Sequence, residues 1–319
     1  MEQIYTYGNY LKNKFGVKVH KVGINISGFT CPNIDGTVAK GGCTFCENDS
    51  FSASTDAVVE LKGFHLNLES KENPFLQKQL KQLELQFDVI SKRQKREYGA
   101  KKFLVYFQSF TNTYAPFETL KALYEKALSF ENVVGLSIGT RSDSITEETL
   151  AYLSGLAKDK EIWIEFGIQS VYDETLEKIN RGHDSENVKE WIIKSKEAGL
   201  NVCGHLIFGL PGETQEMMLE TSKAAYSWGI DSVKYHPLYV VKRTALANEF
   251  NRGEFTPISE QEYLDVLVKS LLMKPKNVNV QRVTAGIDDD SLLAPKWCRN
   301  KNQQIKNINA ALKKVGLKY

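Results

Sequence analysis

The chain has 319 residues, 42% of them hydrophobic, enough for a large core, which excludes wholesale disorder. Its 41 Lys+Arg against 39 Asp+Glu leave a net charge of +2, which excludes a uniformly basic scaffold but averages over local patches. Five cysteines are too few, and odd in number, for a secreted disulfide framework, and their spacing is read as metal or redox chemistry.

The start MEQIYTYGNYLKNKF lacks the apolar region of a signal peptide, and no run approaches the ~18 apolar residues of a membrane span. A cytoplasmic protein with no membrane contact is expected. Residues 1–17 read as an N-terminal extension, and the first strand falls near 18–27. A helix at 74–98 places Leu76, Leu80, Leu83, Phe87 and Ile90 on one face and ends in Lys92, Arg93, Lys95 and Arg96, either a solvated helix end or a phosphate contact. Strands follow at 103–108, 133–140, 162–169, 202–209 and 232–240, with helices at 117–130, 146–158, 185–199 and 214–228 between them. About six repeats of this alternation predict an α/β fold of parallel βα units, with 18–245 as the core. The segment 246–319 forms a C-terminal extension with a helix at 259–272, a strand-like VNVQRV at 278–283 and a helix from about 300. Its last part, 291–319, carries seven basic residues and no acidic one, so a +7 tail offsets a −5 body, and a polyanion is its natural partner. Trp297 and Tyr319 offer stacking surfaces there.

Cys31, Cys43 and Cys46 fall in one loop, TCPNIDGTVAKGGCTFC, after the first strand. Clustered thiolates bind zinc or an iron-sulfur cluster, and ligand count separates the two. Structural zinc needs a fourth ligand, and none lies close in sequence, although His65, Cys203 or Cys298 could supply one through the fold. Three cysteines on a cubane leave one iron open for a small molecule. Cys203, inside a strand, reads as an inert core thiol, and Cys298 as a surface thiol or a substrate-side residue.

This loop resembles that of the radical S-adenosylmethionine (SAM) superfamily, whose three cysteines, with an aromatic before the third, hold a four-iron four-sulfur cluster. The superfamily's commonest spacing is C-x3-C-x2-C; the eleven-residue gap here departs from it. That gap, with YFQSFTNTYAP, SIGTRSD, EFGIQS, INRGH, HLIFGLPGET and YHPLYV, is similar to the YhcC/YtqA-like branch, related to the radical domain of Elongator's catalytic subunit. The resemblance runs from residue 20 to about 297. It implies a partial (β/α)6 TIM-like barrel with ligands at the C-terminal ends of the strands. It also implies Cys31, Cys43 and Cys46 as cluster ligands, SAM on the open iron, and an external one-electron reductant of flavodoxin or ferredoxin type.

Further residues follow from the resemblance. Phe45 lies beside the cluster, under a planar group or packed into core. Gln108 and Ser109 occupy the turn that receives the methionine amino group, although Phe107 and Gln108 stand where related proteins carry glycines. Thr140 and Arg141 end the third strand, and the Arg141 fork suits a carboxylate or a surface salt bridge. Gln169 and Arg181 match positions that hold the ribose and methionine of SAM, and Glu165 shares a strand face with Gln169. His205 reads as a ribose contact or a core histidine. Tyr235, His236 and Tyr239 are expected to line the substrate cavity or to pack. The implied substrate is tRNA, with the carboxymethyl portion of 5-carboxymethylaminomethyluridine removed to leave 5-aminomethyluridine. A small metabolite, a protein side chain, or zinc in a non-catalytic nucleic-acid-binding protein are the alternatives. Residue spacing does not address the oligomeric state.

Overall fold

The computed structural model describes residues 1–47 and 64–319. Its centre is a seven-stranded, all-parallel curled sheet in the order β2 (Val19–Ile24), β3 (Lys102–Phe107), β4 (Val133–Thr140), β5 (Glu161–Gln169), β6 (Asn201–Phe208), β7 (Ser232–Pro237) and β9 (Asn279–Arg282). Sequential strands are neighbours because each is followed by a helix that returns along the outside. These helices are α3 (Leu76–Tyr98), α4 (Phe117–Leu128), α5 (Glu147–Ala157), α7 (Ser185–Glu197) and α8 (Gln215–Ser227), with a short α6 (Asp173–Lys178) before α7. The parallel βα units expected from the alternation, and the partial (β/α)6 barrel implied by the resemblance, are therefore present, and the VNVQRV segment adds a seventh strand beside β7.

Helix boundaries follow local capping chemistry. Thr146 and Thr214 cap α5 and α8 by accepting from Thr149 N and Met217 N. Ser259 and Glu262 form a capping box at α10 (Glu260–Met273).

Period-two alternation sorts the strand residues between two environments. Val22, Ile24, Phe103, Val105, Leu136, Ile138, Ile162, Ile164 and Phe166 belong to the main core shared with the outer helices. On the inner side, the bottom layer is apolar: Val19, Leu104, Trp163 and Cys203 pack with Tyr7 and Leu11 of α1 (Tyr7–Phe15). Tyr7 meets Trp163 edge-on at 5.0 Å. The helix α1 thus plugs one end of the barrel, and Cys203 is a core thiol whose burial pushes its pKa up to about 12.

Both edges of the sheet come close. Lys21 on β2 donates to Gln281 Oε1 on β9 at 2.6 Å, and Thr6 bridges Val280. The chain termini pair as well, β1 (Glu2–Gln3) with β11 (Leu317–Lys318), at the plugged end. Beyond the open end, β8 (Val240–Val241) pairs antiparallel with β10 (Leu292–Ala294), and α9 (Ala245–Asn251) follows β8. Among the described residues, no helix is long and apolar enough to cross a membrane.

Candidate active site

The three cysteines sit where the chain leaves β2 at the open end. Cys31 precedes α2 (Pro32–Asp35), and its carbonyl accepts from Ile34 N at 2.8 Å and Asp35 N at 3.1 Å. Cys46 N donates to Cys43 O at 2.9 Å, which turns the last two thiols to the same side. Burial, with the neighbouring Cys43 and Cys31 acting the same way, pushes the Cys46 thiol up to about 12. A cation bound to the sulfurs relieves that cost by stabilising the thiolates. Among the described residues, these thiols are not a group closed to within 4.8 Å of one another. Sulfurs sharing one tetrahedral zinc at 2.3 Å bonds lie about 3.8 Å apart. At least one pair of these sulfurs is therefore farther apart than a shared zinc ion would hold it. His65 is exposed, while Cys203 and Cys298 belong to other core clusters, which leaves the zinc reading without its fourth ligand.

The loop is tied to the segment after α6. Asn33 Nδ2 donates to the carbonyls of Asn180 at 2.5 Å and Arg181 at 2.9 Å, and Asn180 Nδ2 donates back to Gly42 O at 2.8 Å. Arg181 Nη1 lies 3.7 Å from Cys43 Sγ, and its Nη2 donates to Gly167 O at 2.9 Å. All three cysteines face a cavity of about 230 Å³, whose walls include Phe45, Gln108, Thr140, Arg141, Gln169, Arg181 and His205. One more residue expected here, Ser109, is buried at the end of β3.

Three of these walls hold buried polar atoms with no protein partner, Arg141 Nη1, Gln169 Oε1 and Arg181 Nε, and Ser109 Oγ, beside the wall residue Gln108, is a fourth such atom. An unsatisfied buried polar group costs about 1–3 kcal/mol, so three on the walls of one space mark a site shaped for a polar ligand. Gln169 also adopts φ 64°, a left-handed conformation uncommon outside glycine, at a register shift between β5 and β6. Gly167 leaves room for the placement of both side chains: a Cβ there would lie 2.6 Å from Gln169 Nε2 and 2.8 Å from Arg181 Nη2.

Some expectations change. Arg141 is buried and grips Asp143 with two bonds of 2.8 and 2.5 Å, so it is no surface salt bridge. Burial pushes Asp143 up, but the bonds and charge of Arg141 outweigh that and hold it below the usual carboxylate value. The Thr140 hydroxyl is engaged by Thr113 Oγ1 at 2.6 Å. Phe45 lines the cavity and packs on the cluster of Leu176, Ile179 and Leu238. Tyr235 points away from the cavity into the core and bonds Tyr226, whereas His236 and Tyr239 line the cavity. Cys298 is fully buried against Tyr239 and Ile287, so it is not a surface thiol. Trp297 packs on Tyr263 at 5.4 Å and donates to Ile258 O at 3.2 Å, which removes its indole as a stacking platform, and Tyr319 packs against the main core. Lys92, Arg93, Lys95 and Arg96 close α3 at the plugged end, away from the cysteines.

Below the cavity lies a buried polar layer that the strand pattern did not reveal. Glu165 accepts from Ser137 Oγ at 2.5 Å and from Lys21 and Lys234, and lies 2.7 Å from His205 Nε2. Burial pushes Glu165 up, yet Lys21 and Lys234 hold it well below the usual carboxylate value. Burial, then Lys234, lowers His205 to about 4 against the pull of Glu165, so its ring is neutral near pH 7. A carboxylate only accepts; His205 therefore presents Nε2–H to it and keeps Nδ1 as an acceptor. His205 is therefore bound to a buried carboxylate and not to a backbone carbonyl as a core histidine would be.

The model described as the Radical SAM superfamily matches residues 35–225, and the one described as the Radical_SAM C-terminal domain matches 230–314. The chain belongs to the radical SAM superfamily. YtqA of Bacillus subtilis is 34% identical over 99% of this chain and 91% of its own length. YhcC of Escherichia coli K12 is 35% identical over 92% of this chain and 87% of its own. A tRNA uridine(34) acetyltransferase of Methanocaldococcus infernus is 32% identical over 48% of this chain but only 29% of its own. In structure, Elp3 of M. infernus aligns with a TM-score of 0.58 over 93% of this chain and 64% of that chain at 20% identity, a likeness of fold. Radical SAM proteins use a four-iron four-sulfur cluster and SAM. The residues present fit both groups: three thiols converge from one loop, and unsatisfied donors and acceptors surround the adjoining space.

Proposed function

We propose that this radical SAM protein modifies tRNA, converting wobble 5-carboxymethylaminomethyluridine to 5-aminomethyluridine. The observation that carries the catalytic half is the convergence of Cys31, Cys43 and Cys46 on a cavity whose walls include the unsatisfied atoms of Arg141, Gln169 and Arg181. Partial similarity to a tRNA uridine(34) acetyltransferase supports the tRNA half, together with a tail whose seven basic side chains are all exposed.

In this reading the three cysteines hold the cluster and leave one iron for SAM. Gln108 and Ser109 meet the methionine amino group, while the free Nη1 of Arg141 meets its carboxylate. Gln169 and Arg181 hold the ribose and methionine portions, and Arg181 also steadies Cys43. Thr140, tied to Thr113, shapes the wall rather than touching the ligand. His205 approaches the ribose with Nδ1 while Glu165 holds its other nitrogen. Phe45 closes the side of the cavity and excludes water. When bound and reduced by an external one-electron donor, the cluster and SAM supply a hydrogen-abstracting radical. The methylene between nitrogen and carboxylate is the natural target because both groups stabilise the resulting carbon radical; return of one electron to the oxidised one-electron donor gives an imine, and water hydrolyses it to the 5-aminomethyl product and glyoxylate.

Mass spectrometry of tRNA nucleosides from a deletion strain tests this reading. It predicts accumulation of 5-carboxymethylaminomethyluridine and loss of the 5-aminomethyl product; unchanged wobble nucleosides reject it.

A further inference from the structure

The floor of the cavity carries more positive charge than it neutralises. Lys21, Lys234 and Arg282 converge there, and Glu165 is already engaged by both lysines. Among the described residues, no carboxylate pairs with Arg282. Its guanidinium nevertheless acts on the groups around it, lowering His236, His205 and Lys301. Cations gathered in a half-enclosed, low-dielectric space repel one another unless an anion joins them.

Backbone geometry brings Arg282 to this position. Lys234 on β7 faces Arg282 rather than Gln281, because the register shifts by one residue after Val233–Val280. Regular alternation would send one of two adjacent side chains outward. Here Gln281 reaches Lys21 across the gap in the barrel, and Arg282 lines the cavity as well. A second group faces the same space unsatisfied: His236 Nε2 is buried without a partner, and its ring stacks on His205 at 5.9 Å. Burial, then Arg282, keeps His236 well below its usual value, so the ring is neutral and can donate or accept one hydrogen bond.

We propose that Arg282 and His236 form a carboxylate-binding subsite for the substrate. The guanidinium fork matches a carboxylate in two parallel hydrogen bonds, and His236 adds a third contact from the side. The carboxylate of SAM is the other source of this chemistry. However, β9 lies three strands from β5, which ends at Gln169, about 14 Å along the sheet at a strand spacing of about 4.8 Å. That separation assigns Arg282 to a second ligand. The inference deepens the proposed function, because it rests on that reading for its substrate: the carboxymethyl group to be removed is the one that Arg282 holds, leaving the adjacent methylene toward the cysteine loop.

The test uses the full-length reconstituted protein and two pairs of probes that differ in charge. The first pair is 5-carboxymethylaminomethyluridine and its carboxamide; the second is N-acetylglycine and N-acetylglycinamide. Binding is read by saturation-transfer NMR on wild type, Arg282→Ala and Arg282→Lys, with absorbance near 400 nm and circular dichroism checking that each variant is loaded and folded. The carboxylate of each pair should bind wild type at least tenfold more tightly than its amide. That preference should disappear in Arg282→Ala and return in part in Arg282→Lys, which keeps the charge without the fork. Equal binding of acid and amide to wild type overturns the subsite. So does an equal loss of SAM affinity in Arg282→Ala, which assigns the arginine to SAM. If the N-acetylglycine pair shows the preference while the nucleosides do not bind, the subsite stands and the uridine reading fails.

Discussion

Glu165 is the residue on which the inner layer depends, since Lys21, Lys234, Ser137 and His205 all converge on its two oxygens. Removing one member of a buried ionic network leaves the others uncompensated. Glu165→Ala is therefore expected to cost about 3–5 kcal/mol in urea unfolding at pH 7, and Lys234→Met in the same background should recover part of it. Glu213 behaves oppositely. Burial raises it to about 7 although Ser170 and Thr175 donate to it. Its folded value lies above its unfolded value, so its contribution is present below about pH 4.5 and lost as pH rises through 7. Glu213→Gln should match wild type at pH 4 and exceed its stability at pH 8 by up to about 3 kcal/mol, read from paired unfolding curves. The cysteine triad was legible in the sequence because its three members share one loop. Lys21 and Lys234 were not: lysine in a strand reads as a solvent-facing residue, and the partner that permits burial lies 144 and 69 positions away.

At the scale of elements, alternation of strand and helix was legible because each βα unit closes locally, and α5 and α8 begin at capping threonines visible in the sequence. The place of β9 was not legible, since a four-residue strand says nothing about which distant edge will accept it. The same holds for the two register shifts, at Gly167–Gln169 and at Val233–Lys234, which aim Gln169 and Arg282 inward. Glutamine gives no signal for a left-handed backbone, so its φ of 64° emerges only from the folded sheet. These irregularities predict a separation of stability from function. Gly167→Ala introduces a Cβ that meets only the flexible ends of Gln169 and Arg181, which can swing aside. We expect a stability change of at most about 1 kcal/mol but at least a tenfold loss of SAM affinity by equilibrium dialysis. Gly135→Ala is the contrasting control, because its Cβ would meet the backbone of Glu161 and should destabilise the fold outright.

In the whole molecule, the barrel has one plugged end and one open end, and the C-terminal helix α11 (Lys301–Lys314) runs between them. Lys296, Arg299 and Lys301 follow β10 near the open end, while Lys313, Lys314 and Lys318 approach β1 at the other. A tRNA whose wobble base enters the cavity should therefore feel the first group more. Charge reversal of Lys296, Arg299 and Lys301 should reduce the slope of log affinity against log salt by about 2–3, and reversal of Lys313, Lys314 and Lys318 by less. Equal effects would mean that the tail contacts RNA along its whole length. The balanced total charge hid this arrangement, because composition averages an acidic body with a basic tail. Anaerobic turnover tests the central claim most directly: reconstituted protein, SAM, a one-electron reductant and tRNA bearing 5-carboxymethylaminomethyluridine, with products quantified by mass spectrometry and Cys43→Ala as control. The account predicts 5′-deoxyadenosine, 5-aminomethyluridine and glyoxylate from wild type and none from the variant. Formation of 5′-deoxyadenosine with the nucleoside unchanged, or turnover by Cys43→Ala, would contradict it.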